Sequence, residues 1–156
     1  MSHQPSAEEI SRGHRWFAVT ANNRAWQLAE QPSRTEAEDD EMLNAAHAAA
    51  MHWATLANPL NDARAKMLVA HAHAFVGNGR YALRLARASH AYLTSIDSPD
   101  WEIAFSHAVM AHAAAATNDQ DGHRHHYAAA RAAGDAIAGA EDRAIFETTF
   151  ALIPAP

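Results

Sequence analysis

Cysteine is absent from the sequence, which excludes thiol catalysis, disulfides, iron–sulfur clusters and thiolate zinc sites in one step. Any bound metal must therefore use histidine, carboxylate or methionine. Lysine occurs only at Lys66, and the net charge is -6 with histidine neutral. With no basic stripe to neutralise phosphates, nucleic acid is not an expected partner. No apolar run reaches the roughly 18 residues of a membrane span, and Met1 to Glu9 holds no apolar signal core. The expectation is a cytoplasmic chain with no membrane partner. Strand-length alternation of apolar and polar residues is missing as well.

What is present suits a folded helical protein. Hydrophobic residues make up 49% of the 156 positions and charged residues 19%, an ordinary globular balance. That length supports one core, so the reading is a single helical domain over 1–156 with residues 1–6 as a disordered tail. Twelve histidines titrate near pH 6.5 when unperturbed, so the surface charge can change sign around that pH.

Local signals divide the chain into seven helices. Ser6 with Glu9 forms a capping box ahead of Ala7–Glu30, where Ile10, Phe17, Ala21 and Leu28 recur before Pro32. Ser33 or Thr35 precedes the acidic stretch Glu36–Glu41, which favours a helix N-terminus electrostatically. Met42, Ala46, Ala49, Trp53 and Leu56 then follow helical spacing until Asn58-Pro59. A third helix is predicted from about Asn61 to Phe75, ended by Gly77-Asn78-Gly79. Further helices are predicted over Arg80–Ser95, Trp101–Ala116, Gln120–Ile137 and Glu141–Leu152, the fifth starting after Ser98-Pro99-Asp100. Short loops make consecutive helices antiparallel neighbours, and Ala-rich stripes let them pack closely.

Two stretches carry a repeat-like spacing: Gly77, Ala82, Ala86, Ser89, and Asn118, His123, Tyr127, Ala130. They resemble the second halves of tetratricopeptide repeats, in degenerate form. The first-helix Trp-Leu-Gly-Tyr pattern is missing, and the spacing is about 40 residues rather than roughly 34. The resemblance implies an all-α fold of stacked antiparallel hairpins in a right-handed superhelix. Asn22-Asn23-Arg24-Ala25-Trp26, His52-Trp53, Asn61-Asp62-Ala63-Arg64-Ala65, Trp101-Glu102-Ile103-Ala104-Phe105 and Asp142-Arg143 before Ile153-Pro154 also resemble a family of small uncharacterised bacterial proteins. That likeness implies the same fold and a bacterial setting, and carries over no catalytic residue.

Histidine spacing gives the candidate metal ligands. Two histidines chelate from one helix only three or four positions apart, a test that His123 and His126 pass. Reflecting residue numbers about Asn118 brings His112 opposite that pair, and reflection about Pro59 brings His47 opposite His71, with His73 near. His112, His123 and His126 offer three nitrogens for zinc or another transition metal, with Asp119 and Asp121 adjacent. His123, His125 and His126 beside a polar turn read equally as a solvated helix-capping surface, and His47 and His71 as packed core residues. A haem or small-molecule pocket would require His52 or His71 to face a cavity.

No His-Glu-x-x-His, paired Glu-x-x-His or Gly-x-Ser-x-Gly pattern occurs, and Gly77-x-Gly79 lacks the rest of a phosphate loop. Catalytic residues are therefore not assigned, and no cofactor is expected outside the metal alternative. Stacked hairpins expose a concave face, lined by helices one, three and five or by two and four. Trp16, Trp26, Asn61 and Arg64 are the candidate ligand-binding residues, because rigid aromatics and arginine dominate recognition. Trp53 and Trp101 fit apolar stripes and read as core. Asp142-Arg143 reads as an ion pair or cap that holds the last helix. The function these features favour is a non-catalytic binding module for a peptide, a protein partner or a second copy in a homodimer.

Overall fold

A computed structural model describes residues 4–156. Its helices are α1 (Ala7–Ala29), α2 (Glu36–Thr55), α3 (Pro59–Phe75), α4 (Gly79–Ser95), α5 (Asp100–Ala116), α6 (Gln120–Asp135) and α7 (Ala140–Phe150), with no strand among the described residues. The fold is all-α. No helix among these residues is long and apolar enough to cross a membrane.

Capping chemistry sets the helix starts. Ser6 and Glu9 form a reciprocal capping box on α1, and Thr35 and Glu38 form one on α2, each satisfying backbone N–H groups the helix leaves free. Ser6 is thus structured as a cap, whereas residues 1–3 of the expected tail lie outside the described residues. α3 begins two residues earlier than its spacing predicts, because Asn58 accepts from the Asn61 N–H and Pro59 occupies the first turn, where a missing N–H costs nothing. Asp119 caps α6 by accepting from the Gly122 N–H at 3.0 Å.

Three turns each use one left-handed residue: Ala57 (φ 51°), Gly77 (φ 76°) and Asn118 (φ 58°). They join α2 to α3, α3 to α4 and α5 to α6. A residue in that conformation reverses the chain within a few positions, which is how the hairpins close so tightly.

The hairpins α1–α2, α3–α4 and α5–α6 pack side by side, and α1, α3, α5 and α7 also contact one another in that order. The even-numbered helices touch only their neighbours in sequence. The odd-numbered helices therefore form an inner layer and the even-numbered ones an outer layer. α3 and α5 at the centre bury residues on most sides, the pattern expected of a helix enclosed by others. One contiguous core, including Leu28, Met42, Leu68, Leu93, Val109, Ala130 and Phe146, draws on all seven helices.

Candidate functional site

The inner layer lines an open cavity of about 400 Å³. Asn22 and Trp26 enter it from α1 and Glu30 from the cap at its C-terminus, Arg64 and Met67 from α3, Trp101 and Phe105 from α5, and Asp142, Ile145 and Thr149 from α7. Within each helix these residues lie three or four positions apart, so each helix contributes one face. The wall of this pocket is thus supplied by the odd-numbered helices.

Arg64 organises one wall. Its guanidinium lies 5.9 Å from the Trp101 ring centre and donates from Nε to Oε1 of Glu102. Glu102 is fully buried, and its Oε2 has no partner. Thr149 lines the cavity itself, and its buried Oγ1 is likewise unpartnered.

Of the four predicted ligand-binding residues, Trp26 and Arg64 line this cavity. Trp16 lies elsewhere on α1, 63% exposed, with its ring edge-on to Phe17. Asn61 lies in the first turn of α3, its N–H spent on the Asn58 cap, and is not part of the wall. Trp101, read from its stripe as core, also forms part of the wall, while Trp53 is half-buried. Asp142 and Arg143 do not pair: Arg143 donates to the Ile137 carbonyl, which leaves Asp142 facing the cavity. Asn22, Glu30, Asp142 and Thr149 were not legible as a set, although the i, i+3, i+7 spacing of Asp142, Ile145 and Thr149 marks one face of α7.

Histidines meet in pairs across the helices. His14 and His52 approach Nδ1 to Nδ1 at 2.8 Å, and His47 and His73 approach Nε2 to Nε2 at 2.8 Å. His71 and His112 approach Nδ1 to Nδ1 at 3.1 Å, and His107 and His126 do so at 3.0 Å. Reflection about Pro59 therefore located His47 correctly against α3, but its partner is His73. His71 turns inward to α5, and neither it nor His52 lies in the cavity wall.

His112, His123 and His126 have separate partners. His112 faces His71, His126 faces His107, and His123 donates its Nε2–H to the Pro154 carbonyl at 2.7 Å. The hairpin reflection fails here because each ring turns toward a different neighbour. Instead, among the described residues the histidine, cysteine and carboxylate set grouped tightly enough for an ion is His90, His107 and His126, one ligand atom of each within 4.8 Å of the others. Applying the same reflection to the turn near Ser98 would have paired His90 with about residue 106, and so exposed the cluster.

Burial keeps these rings uncharged at neutral pH. It lowers His107 and His126 to about 4, with His90 and His125 adding repulsion, and lowers His90 from its ordinary value as well. Neutral imidazole is the form that binds a metal.

No family model matches the chain, and neither a curated protein nor a solved structure matches it.

Proposed function

We propose that the protein is a non-catalytic binding module whose inner helix layer holds a peptide segment of a partner protein. On this reading the hairpins stack as a tetratricopeptide-like right-handed superhelix, and the first helix of each pair lines its concave side. The observation that carries the reading is the convergence of Trp26, Trp101, Arg64, Asp142 and Thr149 from four helices on one cavity. Rigid indoles present large contact area at small entropic cost, which makes them frequent anchors in recognition.

The wall also indicates the ligand's chemistry. A cavity of about 400 Å³ lies at the small end of ligand pockets and suits one or two side chains of a longer segment. Arg64 is already answered by Glu102, whereas Glu30 and Asp142 bring carboxylates to the wall. An apolar anchor flanked by lysine or arginine fits that charge pattern.

Fluorescence anisotropy with short labelled peptides tests the reading. Peptides carrying an aromatic or aliphatic anchor beside basic residues should bind, and Trp101→Ala and Asp142→Lys should each weaken them at least about ten-fold, a hot-spot-sized loss. Equal binding of acidic and basic versions, or no effect of either substitution, counts against it.

A second observation favours self-association as a further use. Ile10 and Phe17 sit two turns apart on one face of α1, both about half exposed, with Trp16 against Phe17. A homodimer through this face should dissociate in light scattering when Phe17 is replaced by Glu. A monomer at high concentration in the unmodified protein removes that reading.

A further inference from the structure

His90 on α4, His107 on α5 and His126 on α6 form a site separate from the groove. On α5, His107 lies two positions beyond Phe105, about 200° around the helix from the residue that lines the cavity. Three consecutive helices each supply one imidazole, and all three rings are half-buried.

His90 is oriented from behind. Its Nδ1 lies 2.9 Å from Ser106 Oγ, and that hydroxyl lies 2.9 Å from the Ile103 carbonyl. With the serine proton directed to that carbonyl, His90 donates its Nδ1–H to Oγ, and this is the tautomer suited to a metal ligand. The His90 Nε2 lone pair is left free. A buried serine that orients a ring in this way is the kind of outer partner metal-binding histidines use.

His107 and His126 bring Nδ1 to Nδ1 at 3.0 Å. One proton bridges that gap in the metal-free protein. Its owner can shift it to Nε2, after which both Nδ1 atoms offer lone pairs and no proton leaves the protein. A tetrahedral ion with bonds of about 2.0–2.1 Å needs ligand nitrogens roughly 3.4 Å apart. The observed separations, 3.0 Å for one pair and under 4.8 Å for the set, are within a side-chain adjustment of that value.

We propose that His90, His107 and His126 bind one divalent transition-metal ion, zinc by preference, with water in the fourth position. Three imidazoles without thiolate suit zinc, copper or nickel, and the absence of carboxylate oxygens from the set disfavours calcium and magnesium. The ion ties α4, α5 and α6 together on the outer side of the molecule. Three protein ligands and an open position also describe zinc sites that activate water.

The test is a competition titration of full-length, tag-free, chelator-stripped protein with Zn²⁺ alone, repeated with Co²⁺ as a visible reporter. One equivalent should bind at micromolar or tighter affinity, and cobalt should develop the intense bands of a tetrahedral site. His90→Gln, His107→Gln and His126→Gln should each weaken binding at least about ten-fold, whereas His47→Gln and His52→Gln, in other histidine pairs, should leave it unchanged. Circular dichroism checks folding, and His126→Gln decides if the more enclosed variants unfold. Unchanged zinc binding by a folded His126→Gln variant, or equal losses in the two control variants, overturns the proposal, as does failure of the native protein to bind an equivalent.

Discussion

His71 of α3 and His112 of α5 face each other Nδ1 to Nδ1 at 3.1 Å, with Trp26 and Phe75 packed around the rings. One proton serves that contact, and burial of the two rings disfavours a charge on either. Burial lowers His71 well below its ordinary value and His112 to about 4, with Arg34 adding repulsion to both.

Stability should therefore decline on acidification. Above about pH 6.5 both rings are neutral folded and unfolded, and they impose no penalty. Below it the unfolded chain takes up protons first, because its histidines keep their ordinary affinity. His112 then costs about 1.4 kcal/mol per pH unit down to about 4, where it protonates in the folded state too. Urea unfolding at pH 7, 6 and 5 should show falling midpoints, with a shallower slope in His112→Gln. A flat profile would mean that the pair is not held neutral.

Glu102 makes a second prediction, at the wall of the groove. Arg64→Ala removes the partner of a fully buried carboxylate. Orphaned buried charges cost roughly 3–5 kcal/mol, and the partial exposure of Arg64 places this one at or below the lower end. Combining Arg64→Met with Glu102→Leu should recover most of the loss, because an apolar pair needs no compensation. Denaturation of the single and double variants checks this; additive losses would show that the two side chains are not coupled.

The helices were legible because their punctuation is chemical: capping boxes at Ser6 and Thr35, Pro59 after Asn58, and Gly77 in its left-handed turn all act over a few residues. The groove was legible in part. Trp26 and Arg64 stood out by type, but Asp142 and Thr149 reach the cavity only because α7 packs on α5, a contact that no local pattern encodes. The histidine sites were harder still. A single helix reveals ligand pairs three or four apart, whereas His90, His107 and His126 come one from each of three helices, and their meeting depends on side-chain directions as well as on hairpin register.

Two turn substitutions should act in opposite directions. Gly79 packs so closely on the end of α5 that an added Cβ runs into the Ala116 backbone, and backbone cannot yield as a flexible side chain can. Gly79→Ala should cost about 1–3 kcal/mol, the usual penalty of overpacking. Ala57 instead holds φ 51° with a side chain, where its Cβ crowds the backbone. Ala57→Gly should relieve about 1 kcal/mol of that strain, less the entropy glycine adds to the unfolded chain. Thermal melts that shift both variants the same way would contradict the assigned turn geometry.

His123 separates the histidine cluster expected from sequence from the one the helices assemble. Its Nε2 is spent as a donor to the Pro154 carbonyl, beside the buried Ile153 that anchors the C-terminal segment. His123→Gln should therefore weaken the attachment of that segment by about 1 kcal/mol, the net value of one hydrogen bond, and should expose the chain after Leu152 to carboxypeptidase. Zinc affinity should be unchanged, because no ligand of the His90, His107 and His126 set is touched. A zinc loss as large as that of His126→Gln would place His123 in the coordination sphere and return the site to the turn between α5 and α6.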